Sequence, residues 1–158
     1  MKKLALSVAV AALTLSTTAA GAAELRFRGA FTVVAVKNCI ARYVGETFNS
    51  AFRPAALGDN PNVTSLTQLN EFSGDAYELP GTMFKTNSWT PVRGYGIDNL
   101  HYEFAARINI TFQSPAVITG RTSVLALNGW IENMGGDPGR NGLKCLAAFR
   151  GAYFRRVE

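Results

Sequence analysis

The sequence predicts an all-β protein: a single-domain antiparallel sandwich or small barrel whose first and last strands are adjacent and disulfide-linked. Apolar and polar residues alternate over residues 25–39 and again over residues 101–112, which is the pattern of a strand with one buried face. Clusters of Gly, Pro, Asn and Asp divide the chain into short segments of this kind, as in sandwiches and small barrels. The only two cysteines, Cys39 and Cys145, fall where the first segment ends and the last begins.

The first strand is predicted over residues 25–39. Its apolar side holds Leu25, Phe27, Phe31, Val33 and Ala35. The last strand, residues 143–154, is predicted to run antiparallel beside it. A parallel arrangement that aligned the two Phe-Arg-Gly-Ala motifs would place Cys39 level with a position past the end of the chain and could not form the bond. In the register set by that bond, apolar residues oppose each other: Phe31 faces Tyr153, and Ala35 faces Phe149.

Turn residues mark the elements between these two strands. The predicted strands cover residues 46–53, 63–72, 101–112 and 116–131, and a hairpin is predicted over residues 76–86. Residues 87–99 contain Pro91, Gly94 and Gly96 and are predicted to be a long, ordered loop. The echo between Phe-Arg-Gly-Ala-Phe at residues 27–31 and Phe-Arg-Gly-Ala-Tyr at residues 149–153 indicates two strands with the same local requirement.

Residues 1–22 are predicted to be a secretory signal peptide. Lys2 and Lys3 form a positive head, residues 4–15 form an apolar run, and small residues follow. The apolar run is too short for a stable membrane anchor, which needs roughly 20 residues to cross a hydrocarbon core of about 30 Å. We therefore expect an exported protein, periplasmic or extracellular, that is not membrane-spanning.

Cleavage is expected after Ala22 or Ala23, where the neighbouring residues are small. The remaining residues 23–158 suit a single β-domain, large enough to bury roughly two-thirds of the surface of its unfolded chain. Loss of two lysines with the signal peptide reduces the 16 basic residues to 14 against 11 acidic ones, a net charge near +3. Two cysteines in an oxidising compartment are expected to pair.

The sequence offers few groups for catalysis or metal binding. His101, the only histidine, lies on the polar face of a predicted strand beside Glu103, where we expect no catalytic role. One histidine and two paired cysteines cannot form a zinc site of the usual type. The oxygen-rich loops at residues 57–62 and 132–142 consist of ordinary turn residues without the spacing of calcium ligands. We expect no enzyme activity, no metal and no cofactor.

Two groups of residues are candidates for ligand contact. Trp89, Tyr95 and Trp130 are candidates for an exposed aromatic platform of the kind that suits sugars, and two of them lie in the predicted loop. Basic residues concentrate towards the two ends of the chain and are expected to share one outward patch if the first and last strands are neighbours: Arg26, Arg28, Lys144, Arg150, Arg155 and Arg156.

These observations favour a non-catalytic binding or structural module, exported to the cell envelope or secreted. Its partner is expected to be an envelope polysaccharide or a protein. Aromatic and basic residues do not interleave near the predicted patch as they do in single-strand-binding proteins, so nucleic acid is not an expected partner.

A fimbrial-type subunit is one alternative. The pattern Phe27-x-Gly29 followed by Cys39 resembles the first strand of chaperone-assembled pilins, which share a signal peptide, a disulfide and a comparable length. In that family the cysteines lie much closer together than Cys39 and Cys145, and a tyrosine stands where this chain has Val157. Both differences argue against the resemblance.

A carboxylate-based hydrolase is the other alternative. Such an enzyme would use Glu103 or Asp98 together with Glu132 as its acid and base.

Overall fold

The computed structural model describes residues 25–55, 63–71, 74–97 and 102–156, and it shows a closed barrel of eight antiparallel strands. The predicted signal peptide and His101 lie outside the described residues. Among the described residues, no helix is long and apolar enough to cross a membrane. The strands are β1 (Arg26–Lys37), β2 (Thr47–Arg53), β3 (Val63–Leu69), β4 (Gly74–Pro80), β5 (Thr90–Gly96), β6 (Glu103–Ser114), β7 (Val124–Glu132) and β8 (Leu146–Arg156).

The barrel has two ends that differ in composition. Each strand pairs with the next in the chain, and β8 closes the barrel by pairing with β1. We call the end where β1 begins the N-terminal end; it carries the β2–β3, β4–β5 and β6–β7 connections. We call the other end the disulfide end, because Cys39 and Cys145 lie there with the β1–β2 and β7–β8 connections.

Apolar side chains fill the interior. Alternate residues of every strand point inward, and an eight-stranded barrel is just wide enough for such side chains to fill it. The ring of Phe31 lies 5.5 Å from that of Phe48 and 5.3 Å from that of Phe149, between centroids. The largest fully buried side chains are aromatic: Tyr77, Tyr153, Phe27, Phe31, Phe48, Phe52 and Phe149.

The predicted closure of β1 on β8 is confirmed, but its predicted register is wrong. Phe31 lies opposite Gly151 rather than Tyr153, and Ala35 lies opposite Ala148 rather than Phe149. The ladder shifts by one residue between Val33 and Ala35, and such a bulge also reverses which side chains point inward. Val36 therefore packs against the core in place of Ala35. The bulge accounts for one of the two positions by which Phe31 is displaced. The other position, which also displaces Ala35, arises because the two cysteines are not level in the ladder, whose last pair is Lys37 and Leu146.

The Phe-Arg-Gly-Ala echo has a structural explanation in the β1–β8 pair. The two motifs run antiparallel about the Ala30–Ala152 pair, so that Gly29 lies opposite Tyr153 and Gly151 opposite Phe31. Each motif thus places an aromatic ring across from the glycine of the other. At Gly29 the strands are so close that a Cβ atom would lie 1.9 Å from the carbonyl oxygen of Ala152. The glycines allow this close approach, and the rings fill the space beside them.

A disulfide and a buried carboxylate hold the disulfide end together. Cys39 and Cys145 are bonded, with their Cα atoms 4.2 Å apart. Asp137, 7% exposed, accepts hydrogen bonds from the backbone N–H groups of Ile40 at 2.8 Å, Ala41 at 3.0 Å and Gly139 at 2.8 Å. These contacts fasten the β7–β8 connection to the β1–β2 connection. The pairing of the cysteines removes both thiolates from any metal chemistry beside Asp137.

Tyrosine hydroxyls close the interior at the disulfide end. Tyr77 donates to Oε1 of Gln68 and accepts the N–H of Gly135, each at 2.9 Å. Tyr102 donates to Oδ1 of the buried Asp75 at 2.6 Å. Burial raises the pKa of Tyr77 well above its usual value, and burial together with the charge of nearby carboxylates raises the pKa of Tyr43 to about 12.

The prediction of a loop over residues 87–99 is wrong, because β5 occupies residues Thr90–Gly96 and pairs with β4 and β6. The predicted hairpin over residues 76–86 is likewise replaced by the β4–β5 pair. Gly94 was interpreted as a turn residue, but a glycine is needed here inside the strand. Its Cα lies under Phe104, and a Cβ atom would come within 2.3 Å of that ring. A glycine inside a strand here marks close packing rather than a turn.

Candidate functional site

Two tryptophans of the sequence-predicted aromatic group lie on the outer face of the barrel, on either side of Asn109. Asn109 of β6 pairs with Trp130 of β7. Thr90, the first residue of β5, pairs with Ile108, which places the preceding residue, Trp89, beside Asn109 on the other flank. Since neighbouring strands are about 4.8 Å apart, the backbones carrying the two indoles are about 10 Å apart. We call Trp89, Asn109 and Trp130 the tryptophan platform.

The segment before β5 holds Trp89 against β6. Thr86 forms an isolated bridge with Ile110, and the N–H of Asn87 donates to the carbonyl oxygen of Ile110 at 2.7 Å. Asn87 takes a positive φ of 56°, which an asparagine tolerates better than most residues. These two contacts hold the segment before β5 against β6, next to Trp89.

Cationic side chains lie over both indole rings. The guanidinium carbon of Arg107 lies 5.3 Å from the centre of the Trp89 ring, and Nζ of Lys37 lies 5.7 Å from that of Trp130. Arg107 also donates from two nitrogens to the carboxylate of Glu132, which raises the pKa of the guanidinium. This bidentate pair fixes Arg107 against Trp89. Lys37 has a flexible stem by comparison and makes a looser contact.

Asn109 brings a polar atom between the two rings. Its Oδ1 atom is buried and has no hydrogen-bond partner among the described residues. A buried acceptor left without a donor costs about 1–3 kcal/mol, so such an atom is a site where a ligand donor adds stability. Trp89, Trp130 and Asn109 are each partly exposed, so the platform is accessible from solvent.

Tyr95 does not belong to the platform. It lies six residues beyond Trp89, about 20 Å along the strand direction, and faces outward beside Glu103. Its hydroxyl donates to Oε1 of Glu78 at 2.5 Å, and burial with this hydrogen bond raises the pKa of Tyr95 to about 12. The structure therefore brings together two of the three aromatic residues that the sequence suggested.

The six residues of the sequence-predicted basic patch do not all lie on one face of the barrel. Arg26, Arg28, Arg150 and Arg156 lie on the outward side of β1 and β8, with Arg26 directly opposite Arg156. Lys144 lies at the disulfide end, one residue before Cys145. Arg155 has the inward parity of Tyr153, and its guanidinium donates to the carbonyl oxygen of Gly120 in the β6–β7 connection. Four of the six residues therefore share one face.

The carboxylates proposed for hydrolysis do not converge. Both oxygens of Glu132 bind Arg107. Glu103 lies four residues before Arg107 on β6, about 13 Å along the strand, whereas paired carboxylates in glycoside hydrolases stand about 5–9.5 Å apart. Asp98 lies outside the described residues.

No protein-family model, curated protein or solved structure significantly matches this chain. The site must therefore be judged from its own geometry. Three residues at this site were not predicted from the sequence: Asn109, Lys37 and Arg107. Their place follows from strand register, and the only sequence signal for it was the outward parity of Asn109 and Arg107 on β6.

Proposed function

We propose that this chain is an exported, non-catalytic binding module that recognises a polysaccharide of the cell envelope through the tryptophan platform. The observation that carries the proposal is the Trp89–Asn109–Trp130 row, in which the backbones that carry the two indoles are about 10 Å apart and the residue between them, Asn109, has an unpaired side-chain acceptor. Export rests on the signal-peptide pattern of residues 1–22 and is supported by a disulfide, which persists in oxidising compartments.

The chemistry of the platform suits sugar rings. The negative face of an indole attracts the C–H edge of a sugar ring, and an indole loses little conformational entropy when it binds. The two tryptophans flank the same residue of β6, so a polysaccharide chain lying across that strand contacts both. A sugar hydroxyl supplies the missing hydrogen bond when the Asn109 side chain turns its buried Oδ1 atom towards the ligand.

The cationic groups of Lys37 and Arg107 favour an acidic polysaccharide over a neutral one. The ammonium group of Lys37 lies over the Trp130 ring and the guanidinium of Arg107 lies over the Trp89 ring, so a polysaccharide with carboxylate-bearing sugars gains charge-assisted contacts beside the indoles. Arg107 is already bound to Glu132, which leaves Lys37 as the principal group for a ligand carboxylate.

The fimbrial alternative is not supported by the sheet. Chaperone-assembled subunits accept a strand from a partner at an open sheet edge. Here β1 pairs with β2 on one side and β8 on the other, and the described strands close the barrel without an open edge.

The proposal can be tested with a glycan array followed by affinity electrophoresis. The electrophoresis uses alginate, an acidic polysaccharide, and dextran, a neutral one. We expect retardation in alginate, and we expect Trp89→Ala and Trp130→Ala each to weaken it at least tenfold, about 1.4 kcal/mol. Lys37→Gln should weaken binding of alginate more than binding of any neutral glycan. Phe154→Ala, which removes an aromatic ring that is 61% exposed outside the platform, is the matched control and should have no effect.

Equal binding by the tryptophan variants and the wild type would exclude the platform as the site. No binding to any glycan on the array would exclude the ligand class. Thermal melting of each variant should remain within a few degrees of the wild type, since both rings lie on the outer face.

A further inference from the structure

Charge is strongly divided between the two ends of the barrel. Of the seven acidic residues among the described residues, six lie at the disulfide end: Glu46, Glu71, Asp75, Glu103, Glu132 and Asp137. The exception is Glu78, near the end of β4. The N-terminal end instead carries seven basic residues, in the first residues of β1, the last residues of β2 and β8, and two connections: Arg26, Arg28, Arg53, Lys85, Arg121, Arg155 and Arg156.

Basic residues still outnumber acidic residues at the N-terminal end when the residues outside the described ranges are counted. The neighbouring segments outside them carry three acidic residues, Glu24, Asp59 and Glu158. Even if all three are assigned to this end, the basic residues remain in the majority. The field at this end is therefore positive, and it attracts anionic surfaces over about a Debye length.

Large apolar side chains are exposed at the same end. Val117, in the β6–β7 connection, is 72% exposed, and Phe154, near the end of β8, is 61% exposed. Val124 and Phe112 add two further exposed side chains on β7 and β6, and Val124 is directly opposite Phe154. Phe154 is also directly opposite Arg28 of β1, so apolar and basic groups alternate across the face.

An apolar groove opens beside these residues. It has a volume of about 340 Å³, and its walls include Pro54, Ala55, Phe84, Ala116, Val117 and Ile118. The N-terminal end thus combines a positive rim with a cluster of exposed apolar side chains and an apolar groove. This is the composition of surfaces that lie in the headgroup region of a membrane.

Exposed apolar residues alone do not distinguish the two ends. The disulfide end also exposes Ile40, Val44 and Leu143 to between 54% and 56%. There Arg42 lies between Ile40 and Val44, and Lys144 follows Leu143, but the six acidic residues of that end outnumber its four basic residues, Lys37, Arg42, Arg140 and Lys144. Charge therefore decides which end faces an anionic surface.

We propose that the N-terminal end of the barrel docks onto a membrane surface that contains anionic lipids. The exposed Arg28 and Arg121 contact lipid phosphates, each raising partition onto the surface about fivefold, while Val117 and Phe154 enter the interface between headgroups and acyl chains. The inference does not depend on the proposed polysaccharide function.

Co-sedimentation with vesicles tests this docking. The protein as isolated from its host is mixed with vesicles of phosphatidylcholine alone or of phosphatidylcholine with phosphatidylglycerol. We expect binding to the anionic vesicles at least tenfold above binding to the neutral ones, and loss of most of it when ionic strength rises from about 0.05 M to about 0.5 M. Val117→Asp and the pair Arg28→Glu with Arg121→Glu should each reduce binding at least tenfold.

Val44→Asp and the pair Arg42→Glu with Lys144→Glu make the same chemical changes at the disulfide end and should leave vesicle binding unchanged. The two tested variants change different exposed positions, so a folding defect in one leaves the other as the test. Equal binding to neutral and anionic vesicles, or equal losses from both sets of variants, would overturn the proposal. Binding to soluble alginate through Arg28 and Arg121 without binding to vesicles would also overturn it and would assign this end to a polysaccharide.

Discussion

Removing the Cys39–Cys145 bond should lower the stability of the barrel substantially without opening it. The cysteines are 106 positions apart, and a cross-link that closes a loop of this order contributes up to about 4.7 kcal/mol in the chain-entropy model. At about 2–4 °C for each kcal/mol in a protein of this size, the Cys39→Ser, Cys145→Ser double variant should melt about 10–20 °C below the wild type. The measurement is thermal unfolding by circular dichroism, with the reduced wild type as a second sample.

The native fold should survive this change, because the β1–β8 ladder runs from the Arg26–Arg156 pair to the Lys37–Leu146 pair without help from the bond. Asp137 and its three backbone donors also continue to join the two connections at the disulfide end. Near-ultraviolet circular dichroism at low temperature should therefore match that of the wild type. A melting temperature lowered by less than about 2 °C would refute the reasoning about loop closure, and loss of the native spectrum would refute the independence of the β1–β8 ladder.

Three further predictions concern the barrel itself. Tyr43 and Tyr95 keep their protons to about pH 12 when folded, whereas unfolded tyrosines ionise near pH 10. The unfolded state then binds fewer protons than the native state, so the free energy of unfolding should fall as pH rises from about 10 to 12, which urea titrations would show. Gly29→Ala should cost about 1–3 kcal/mol, because its Cβ meets the backbone of β8, whereas Gly120→Ala, with nothing within 4 Å, should cost almost nothing in the same assay. Asp137→Ala should cost about 3 kcal/mol by chemical denaturation, since it leaves three N–H groups without their acceptor; a cost below about 0.5 kcal/mol would contradict that role.

The alternation of apolar residues was sufficient to predict the fold class. Strand β1 shows why: Phe27, Phe31 and Val33 fall on one side by simple parity, and all three are buried. Parity failed where the backbone departs from a regular strand. The bulge between Val33 and Ala35 moves one residue out of register, and nothing in the local sequence distinguishes it from a regular strand.

The candidate site was only partly predictable for a related reason. Trp89 and Trp130 were identified because indoles are uncommon and suit ligands, but Tyr95 was grouped with them because β5 was interpreted as a loop. Which aromatic residues meet depends on register across three strands, and Asn109 acquires its place between the rings only through that register. Residues from distant parts of a chain cannot be assigned to one surface until the pairing of the strands is known.

The basic residues that share one end of the barrel could also be predicted only in part from the sequence. Arg26 and Arg156 were expected to be near each other because the two ends of the chain were expected to pair, and they are directly opposite. Arg53 at the end of β2, and Lys85 and Arg121 in two connections, lie at the same end of the barrel, and only the closed topology brings them together.

Intrinsic fluorescence tests the central claim most directly. The chain has two tryptophans, and both belong to the platform, so their emission reports on this site without any label. Titration with an oligosaccharide cut from the polysaccharide that binds best should produce a saturable shift of the emission to shorter wavelength. The apparent dissociation constant should agree with calorimetry and should rise about tenfold in Asn109→Ala. Calorimetric binding that leaves the emission of both tryptophans unchanged would contradict the assignment of the platform as the ligand site.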